Sequence, residues 1–318
     1  MREEISMEKS VELSIPVVFI TYIRLDTTKQ VFEMIRKAKP KRLYHVSDAA
    51  NTPEKQKRVD EVREYVTSHI DWPCELIQEY AAENYGCRKR INLGLDFVFD
   101  REEMAIILED DVVPSMSFFA FCQDMLEKYK NDERIMMVTG NKRVPEYEMQ
   151  GDYCFSKFCS IWGWATWSRA WKKNDSAMNN WQQIKKDKVL KHFYGDMVAL
   201  KLERETELVY TGELNTWDYP WQVSKAYCGG LEIVPRVNLV KNVGVLSEDA
   251  THEAKEDVKM EAGELEFPLT YLADVKPDEG YDKALAHDSY YAGWFERFVR
   301  KVIPASWLRN LRKSMKKN

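Results

Sequence analysis

Apolar and polar positions alternate in two rhythms over the first 140 residues. Short, β-branched apolar runs read as buried strands: IPVVFITYI (residues 15–23), RLYHVSDAA, CELIQEY, MAIIL and RIMMVTG. Between them, apolar positions recur three and four apart, which predicts amphipathic helices. The first helix has Asp26 or Thr27 as its cap, carries Val31, Ile35 and Ala38 at helical spacing, and stops at Pro40. The second has Pro53 in its first turn and Val59, Val62 and Val66 on one face. The third turns Ile91, Leu95 and Val98 inward, and SMSFFAFCQDMLEKYK makes a fourth. Strand–helix alternation of this kind predicts an α/β fold with a mostly parallel sheet covered on both faces. Ligands of such sheets sit outside the carboxyl ends of the strands.

The rest of the chain is less regular. Residues 141–245 are rich in tryptophan and read as a substrate-side half packed on the same sheet. Residues 248–290 are acidic and weakly periodic, and the pattern assigns them no element. The 318 residues are 44% hydrophobic and 31% charged, ordinary values for a globular protein with a sizeable core. A net charge of −5 gives no global signal for nucleic acid. The six cysteines form no CxxC pair, which fits reduced thiols in a cytoplasmic protein. The first residues contain no apolar signal-peptide core, and no window approaches the apolar length of a membrane span.

The densest chemistry lies in IILEDDVVP, where a buried-strand pattern ends in Glu109, Asp110 and Asp111. Two carboxylates about 4 Å apart repel by roughly 1 kcal/mol in water and by several times that near a protein interior. A hard divalent cation, Mn²⁺ or Mg²⁺, compensates such a cluster and keeps coordination sites for a diphosphate. The alternative is a solvated acidic turn. Arg24 and Asp48 also fall just past strand ends, so the fold class brings them to the edge that carries the acids.

With its flanks, this stretch resembles the acidic, DxD-type signature of GT-A fold glycosyltransferases. It is most similar to the N-acetylglucosaminyltransferase I group and related bacterial sugar transferases. The likeness spans about residues 15–252, with LEDDVVP, IWGWATW and TWDYPW as its strongest motifs. It implies a nucleotide-binding α/β sheet, a UDP-sugar donor, a Mn²⁺ (or Mg²⁺) cofactor and transfer with inversion at the anomeric carbon. Carried over by residue, Arg24 matches an arginine that holds the uracil or its phosphates, and Asp48 an aspartate on uracil. Arg90 stands where the eukaryotic enzymes have a nucleotide-contacting histidine, a departure from their pattern. Glu109 and Asp110 match acids facing the sugar and ribose, and Asp111 matches the metal ligand.

Inverting transfer also needs a base for the acceptor hydroxyl. The resemblance assigns that role to Asp218 in TWDYPW, with Trp217 as a wall against the donor sugar; otherwise Asp218 is a loop acid flanked by core aromatics. Trp164, Trp167 and Trp171 are spaced three and four apart, which is helix-core spacing, so most of these tryptophans are expected inside. Gly163 allows close backbone approach beside the donor sugar. Residues 242–253 resemble a mobile loop closing over the diphosphate, with Gly244 as hinge and Thr251 and His252 as phosphate contacts.

The sequence thus divides into a GT-A domain (1–255), an irregular acidic segment (256–290) and a basic amphipathic tail (291–318). The tail sets eight Lys and Arg among Trp294, Phe295, Phe298, Trp307 and other apolar residues, with Pro304 splitting it into two short helices. Such helices lie on anionic membrane surfaces, here the cytoplasmic leaflet, or pack on their own domain. The expected partners are a nucleotide-sugar donor and a glycan or lipid-linked acceptor, without nucleic acid. Two other classes compete: a nucleotidyl- or phosphotransferase, and a catalytically silent sugar-nucleotide-binding protein. The first of these would normally carry a Gly-rich phosphate loop after the first strand, and TYIRLDTTKQ has no glycine.

Overall fold

The computed structural model describes residues 13–244 and 260–290. Four strands open the chain: β1 (Val17–Thr21), β2 (Arg42–Ser47), β3 (Glu75–Tyr80) and β4 (Met104–Glu109). They pair in parallel, with β1 between β2 and β4 and β3 outside β2. Helices α1 (Leu25–Ala38), α2 (Pro53–Ser68) and α3 (Gly86–Phe99) make the crossovers, close to where the sequence pattern puts them. One detail differs. Helix α1 starts after Arg24, with no side-chain cap, because Thr28 Oγ1 donates back to the Arg24 carbonyl at 2.6 Å.

The complete sheet has eight strands in the order β3-β2-β1-β4-β8-β6-β9-β7. Its second half uses β6 (Ile135–Thr139), β7 (Tyr153–Ser156), β8 (Trp164–Trp167) and β9 (Leu231–Pro235). β8 runs antiparallel to both β4 and β6, and β7 antiparallel to β9, while β6 and β9 are parallel. The sheet is therefore mostly parallel, as expected. The helical reading of Trp164, Trp167 and Trp171 is corrected here. Trp164 and Trp167 lie in a strand, three residues apart, and so face opposite sides of the sheet. Only Trp171 is helical, in α5 (Ser168–Trp171). The expectation that most are core holds, since all three are buried.

The two sheet faces bury separate cores. Val17 and Phe19 of β1 join the α1 face residues Val31, Phe32 and Ile35 and the Phe118–Leu126 side of α4 (Met116–Lys128). Val18 and Ile20 join Ile91, Leu95 and Val98 of α3 on the other face, with Trp164, Trp171, Trp217 and Trp221. A third cluster gathers α6 (Trp181–Lys186), α7 (Val189–Tyr194), α8 (Asp196–Tyr210), α9 (Asp218–Tyr227) and α10 (Glu279–Ser289). The described part of the acidic segment packs on the same body. Glu264 accepts from the Ser117 amide at 2.9 Å, and Asp282 of α10 accepts from Ser156 Oγ at 2.7 Å. A small antiparallel pair, β5 (Val112–Pro114) with β10 (Val240–Asn242), had no signal in the sequence pattern. It ties the strand after the acids to the segment 240–244. Among the described residues no helix is long and apolar enough to cross a membrane. The basic tail lies outside the described residues.

Candidate active site

Parallel pairing decides the site. Thr21 is in register with Ser47, and Ile20 with Glu109, so the carboxyl ends of β1, β2 and β4 form one edge. Arg24, Asp48 and the three acids meet there. Asp110 is buried and accepts the Tyr22 amide at 3.0 Å. Arg24 Nη1 donates to Asp111 Oδ2 at 2.5 Å and lies 3.9 Å from Asp110 Oδ1. Burial opposes the charge on Arg24, but Asp110 and Asp111 outweigh it and hold its pKa above the ordinary value. The carboxyls respond in the opposite sense. Burial, then Asp111 and Asp110, lifts Glu109 well above the usual carboxylate range, and Asp218 adds to the lift. Burial and then Asp111 likewise raise Asp110, against the lowering effect of Arg24.

Asp218 opens α9, where the helix dipole favours an acid, and accepts a hydrogen bond from Thr216 Oγ1. Its neighbour Trp217 stacks on Trp164, which is in register with Ile107 near the carboxyl end of β4, so α9 begins close to that edge although 109 residues separate Asp218 from Glu109. The two carboxylate constellations of the sequence, the acid triplet and TWDYPW, therefore converge. Trp217 is 3% exposed and stacks on Trp164 with ring centroids 5.3 Å apart. It lies in the four-tryptophan core behind Asp218.

Other expected donor contacts are engaged by the protein itself. The Asp48 carboxylate accepts the amides of Ala49, Tyr85 and Gly86 at 3.0, 3.0 and 2.8 Å and Asn84 Nδ2 at 3.2 Å. These four donors occupy the acceptor sites of both oxygens and lash the loop after β3 to the end of β2. Arg90 is buried and paired with Glu79 of β3. Gly163, at φ +57°, is buried where an added Cβ would lie 2.6 Å from Val240 Cγ1. Its close approach is thus to the β10 side chain Val240. His252 and most of the expected loop lie outside the described residues. Gly244 is described, and its backbone presses on the cluster: a Cβ there would sit 2.2 Å from Asp111 Oδ2 and 2.5 Å from Arg24 Nη1.

Sequence reasoning missed Cys87. It lies exposed in the first turn of α3, and the charges of Glu109, Asp218, Asp48 and Asp111 act to raise its thiol. Its position just after the β3 loop, on the binding edge of the sheet, was the available signal. His45 was missed as a support. It is fully buried, with Thr21 Oγ1 and Tyr80 OH each 2.8 Å from a ring nitrogen, and burial lowers its pKa to about 3. It thereby links the carboxyl ends of three strands as a neutral ring.

The implied divalent cation can be judged against these side chains. Among the described residues no group of three or more His, Cys, Asp or Glu side chains is arranged around a common metal position. The donor set fits an ion held by one or two carboxylates, Asp111 foremost, with the remaining positions filled by phosphate and water. Arg24 Nη1 occupies Asp111 Oδ2.

No protein-family model matches the chain, and no curated protein matches it. Among solved structures it is similar to 4-diphosphocytidyl-2C-methyl-D-erythritol synthase from Anaerococcus prevotii, at 10% identity over 59% of this chain and 86% of that one, with a TM-score of 0.32. It is also similar to a UDP-glucose pyrophosphorylase complexed with UDP-glucose, at 10% identity over 46% and 64% of the two chains, TM-score 0.27. A third is mouse xyloside xylosyltransferase 1, at 8% identity over 67% and 82%, TM-score 0.34.

Proposed function

We propose that this protein is a metal-dependent, inverting glycosyltransferase of the GT-A type, moving a sugar from a nucleotide donor, UDP-linked, to a glycan or glycolipid acceptor. The observation that carries the proposal is the meeting of Glu109, Asp110, Asp111 and Arg24 with Asp218 at one carboxyl-end edge of the sheet. An acid cluster with a single guanidinium suits a diphosphate and its cation. A further carboxylate within electrostatic reach suits proton transfer at the sugar.

In this mechanism Asp111 would hold Mn²⁺ or Mg²⁺, which when bound would neutralise charge on the leaving diphosphate. Arg24, released from Asp111, turns its remaining donors to the phosphates. Glu109 hydrogen-bonds a hydroxyl of the donor sugar. Asp218 accepts the proton of the acceptor hydroxyl as that oxygen bonds to the anomeric carbon. The bond from that carbon to the diphosphate oxygen breaks on the opposite face, so configuration inverts and nucleoside diphosphate leaves. The buried Trp217 holds the start of α9, and with it Asp218, in position.

The test is product analysis with a panel of UDP-sugars and Mn²⁺. Release of UDP, lost in Asp111→Asn, is expected. Release of pyrophosphate from a nucleoside triphosphate and a sugar phosphate would make the protein a nucleotidyltransferase instead. Absence of turnover with intact UDP binding would make it a silent binder.

A further inference from the structure

A concavity lies between α3, the segment after α5 and the turn before α9. It has a volume of about 290 Å³, near the low end of the range for small-molecule sites. Arg88, Lys89, Leu93 and Asp96 line it from the helix, Ser176 from the segment after α5, and Asn215 from the turn before α9. Two links connect it to the candidate active site. Asn215 is three residues from Asp218, and its Nδ2 lies 2.9 Å from where a Gly86 Cβ would be. Gly86, two residues before Arg88, donates its amide to Asp48 Oδ2 at 2.8 Å on the carboxyl-end edge. The cavity therefore borders the turn that leads into Asp218.

Its charges are not balanced. Arg88 gives one N–H to the Val209 carbonyl at 3.2 Å and one to the Ser176 carbonyl, both neutral partners. Burial alone depresses its pKa, without any carboxylate acting on it. Lys89 lies over the Tyr85 ring, 4.0 Å from its centroid. Among the described residues no carboxylate forms an ion pair with either cation. The one acid in the lining, Asp96, accepts from Trp171 Nε1 at 2.8 Å. A guanidinium taken partly out of water without a countercharge is unfavourable unless a ligand supplies one. Leu93, 39% exposed, adds an apolar surface of the kind on which the C–H face of a sugar ring packs. The Asn215 side-chain amide and the remaining Arg88 N–H groups can serve ring hydroxyls.

We propose that this cavity is the acceptor subsite and that it takes a saccharide carrying an acidic group, a carboxylate or a phosphate, with Arg88 and Lys89 on the charge. The assignment of the cavity to the acceptor rests on the transferase reading above; its ligand chemistry stands on the cavity itself.

The test is an NMR titration of the labelled full chain with glucuronic acid, glucose 6-phosphate, methyl glucoside and inorganic phosphate. A separate titration uses UDP with Mn²⁺. One or both acidic sugars should shift the signals of residues 88–96, and the two arms tell carboxylate from phosphate. Methyl glucoside and inorganic phosphate should each bind at least about tenfold more weakly. Lys89→Glu should weaken the acidic sugars by about tenfold and leave UDP affinity unchanged. Equal binding of methyl glucoside would overturn the charge assignment. Equal binding of inorganic phosphate would reduce the cavity to an anion site. Shifts confined to Arg24 and Asp111, or no shifts with any sugar, would overturn the subsite altogether. Failure of UDP to bind while acidic sugars still shift α3 would count against the transferase reading and leave the cavity's ligand chemistry intact.

Discussion

Replacing Arg24 by methionine keeps most of the apolar stem of the side chain and removes its charged guanidinium. Arg24 is 19% exposed, 2.5 Å from Asp111 and 3.9 Å from Asp110, whose side chains are 17% and 7% exposed. Two unit charges 4 Å apart attract by about 4 kcal/mol at an effective dielectric of about 20. Desolvation of the guanidinium offsets part of this. Losing one partner of a buried pair costs about 3–5 kcal/mol, and of an exposed pair about 0–1 kcal/mol. For groups about four-fifths buried or more, an intermediate loss of about 2 kcal/mol is expected. For a chain of 318 residues that lowers the melting temperature by roughly 3 °C in the presence of chelator. Added Mn²⁺ should then stabilise the variant more than the parent, because the ion no longer displaces a guanidinium from Asp111. At a hundredfold excess over its dissociation constant an ion contributes about 2.7 kcal/mol, enough to recover the loss. Thermal melts of both proteins, each with chelator and across a Mn²⁺ series, give the comparison. If the variant melts like the parent in chelator, or gains no more from Mn²⁺ than the parent does, Arg24 is not the stand-in for a bound cation.

Asp218→Asn keeps the hydrogen bond from Thr216 but removes the basicity, so turnover should fall roughly 10²–10⁴-fold with UDP binding nearly unchanged; wild-type turnover would move the base elsewhere, Glu213 being next. Gly244→Ala puts a methyl group against Asp111 and Arg24 and should cost about 1–3 kcal/mol while weakening UDP–Mn²⁺ binding in calorimetry. An unchanged affinity would show that residues 242–244 are not pressed on the site. Glu232 is fully buried, accepts the Ser160 amide at 2.8 Å, and is raised by burial to about 7 from 4.5 despite Lys225. The folded state therefore binds its proton more tightly, and the stability it contributes is full below about pH 4.5 and lost as pH rises through about 7. Glu232→Gln mimics the protonated form. It should match the parent near pH 4.5 and exceed it by about 3 kcal/mol at pH 8 in urea unfolding; equal pH profiles would refute this.

The first half of the fold was legible in the sequence because its signals are local. Apolar runs of five or six residues, each followed by a helical stripe, allow few arrangements other than parallel strands with crossover helices. Once the strands are parallel, residues just past their ends must share an edge, so Arg24, Asp48 and the acid triplet could be grouped before any contact was known. What each side chain does at that edge was not legible. Asp48 is occupied by backbone amides of a loop 37 and 38 residues away, and Arg90 by Glu79 one strand back. Both pairings depend on how α3 docks, which no local pattern encodes. The same holds for Trp164 and Trp167, whose spacing suits a helix. The gap between β4 and β6 accepts a strand there, and hydrogen bonds to both neighbours, with burial on both faces, outweigh the periodicity. The pairing of β5 with β10, which sets Gly244 against Asp111, and the arrival of Asp218 beside Glu109 are likewise tertiary. The sequence by itself determined which residue types would stand at the strand ends. Only the packed chain decided which of them face one another, because that depends on partners that stand from 11 residues apart, as Glu79 and Arg90 do, to 130, as Val112 and Asn242 do.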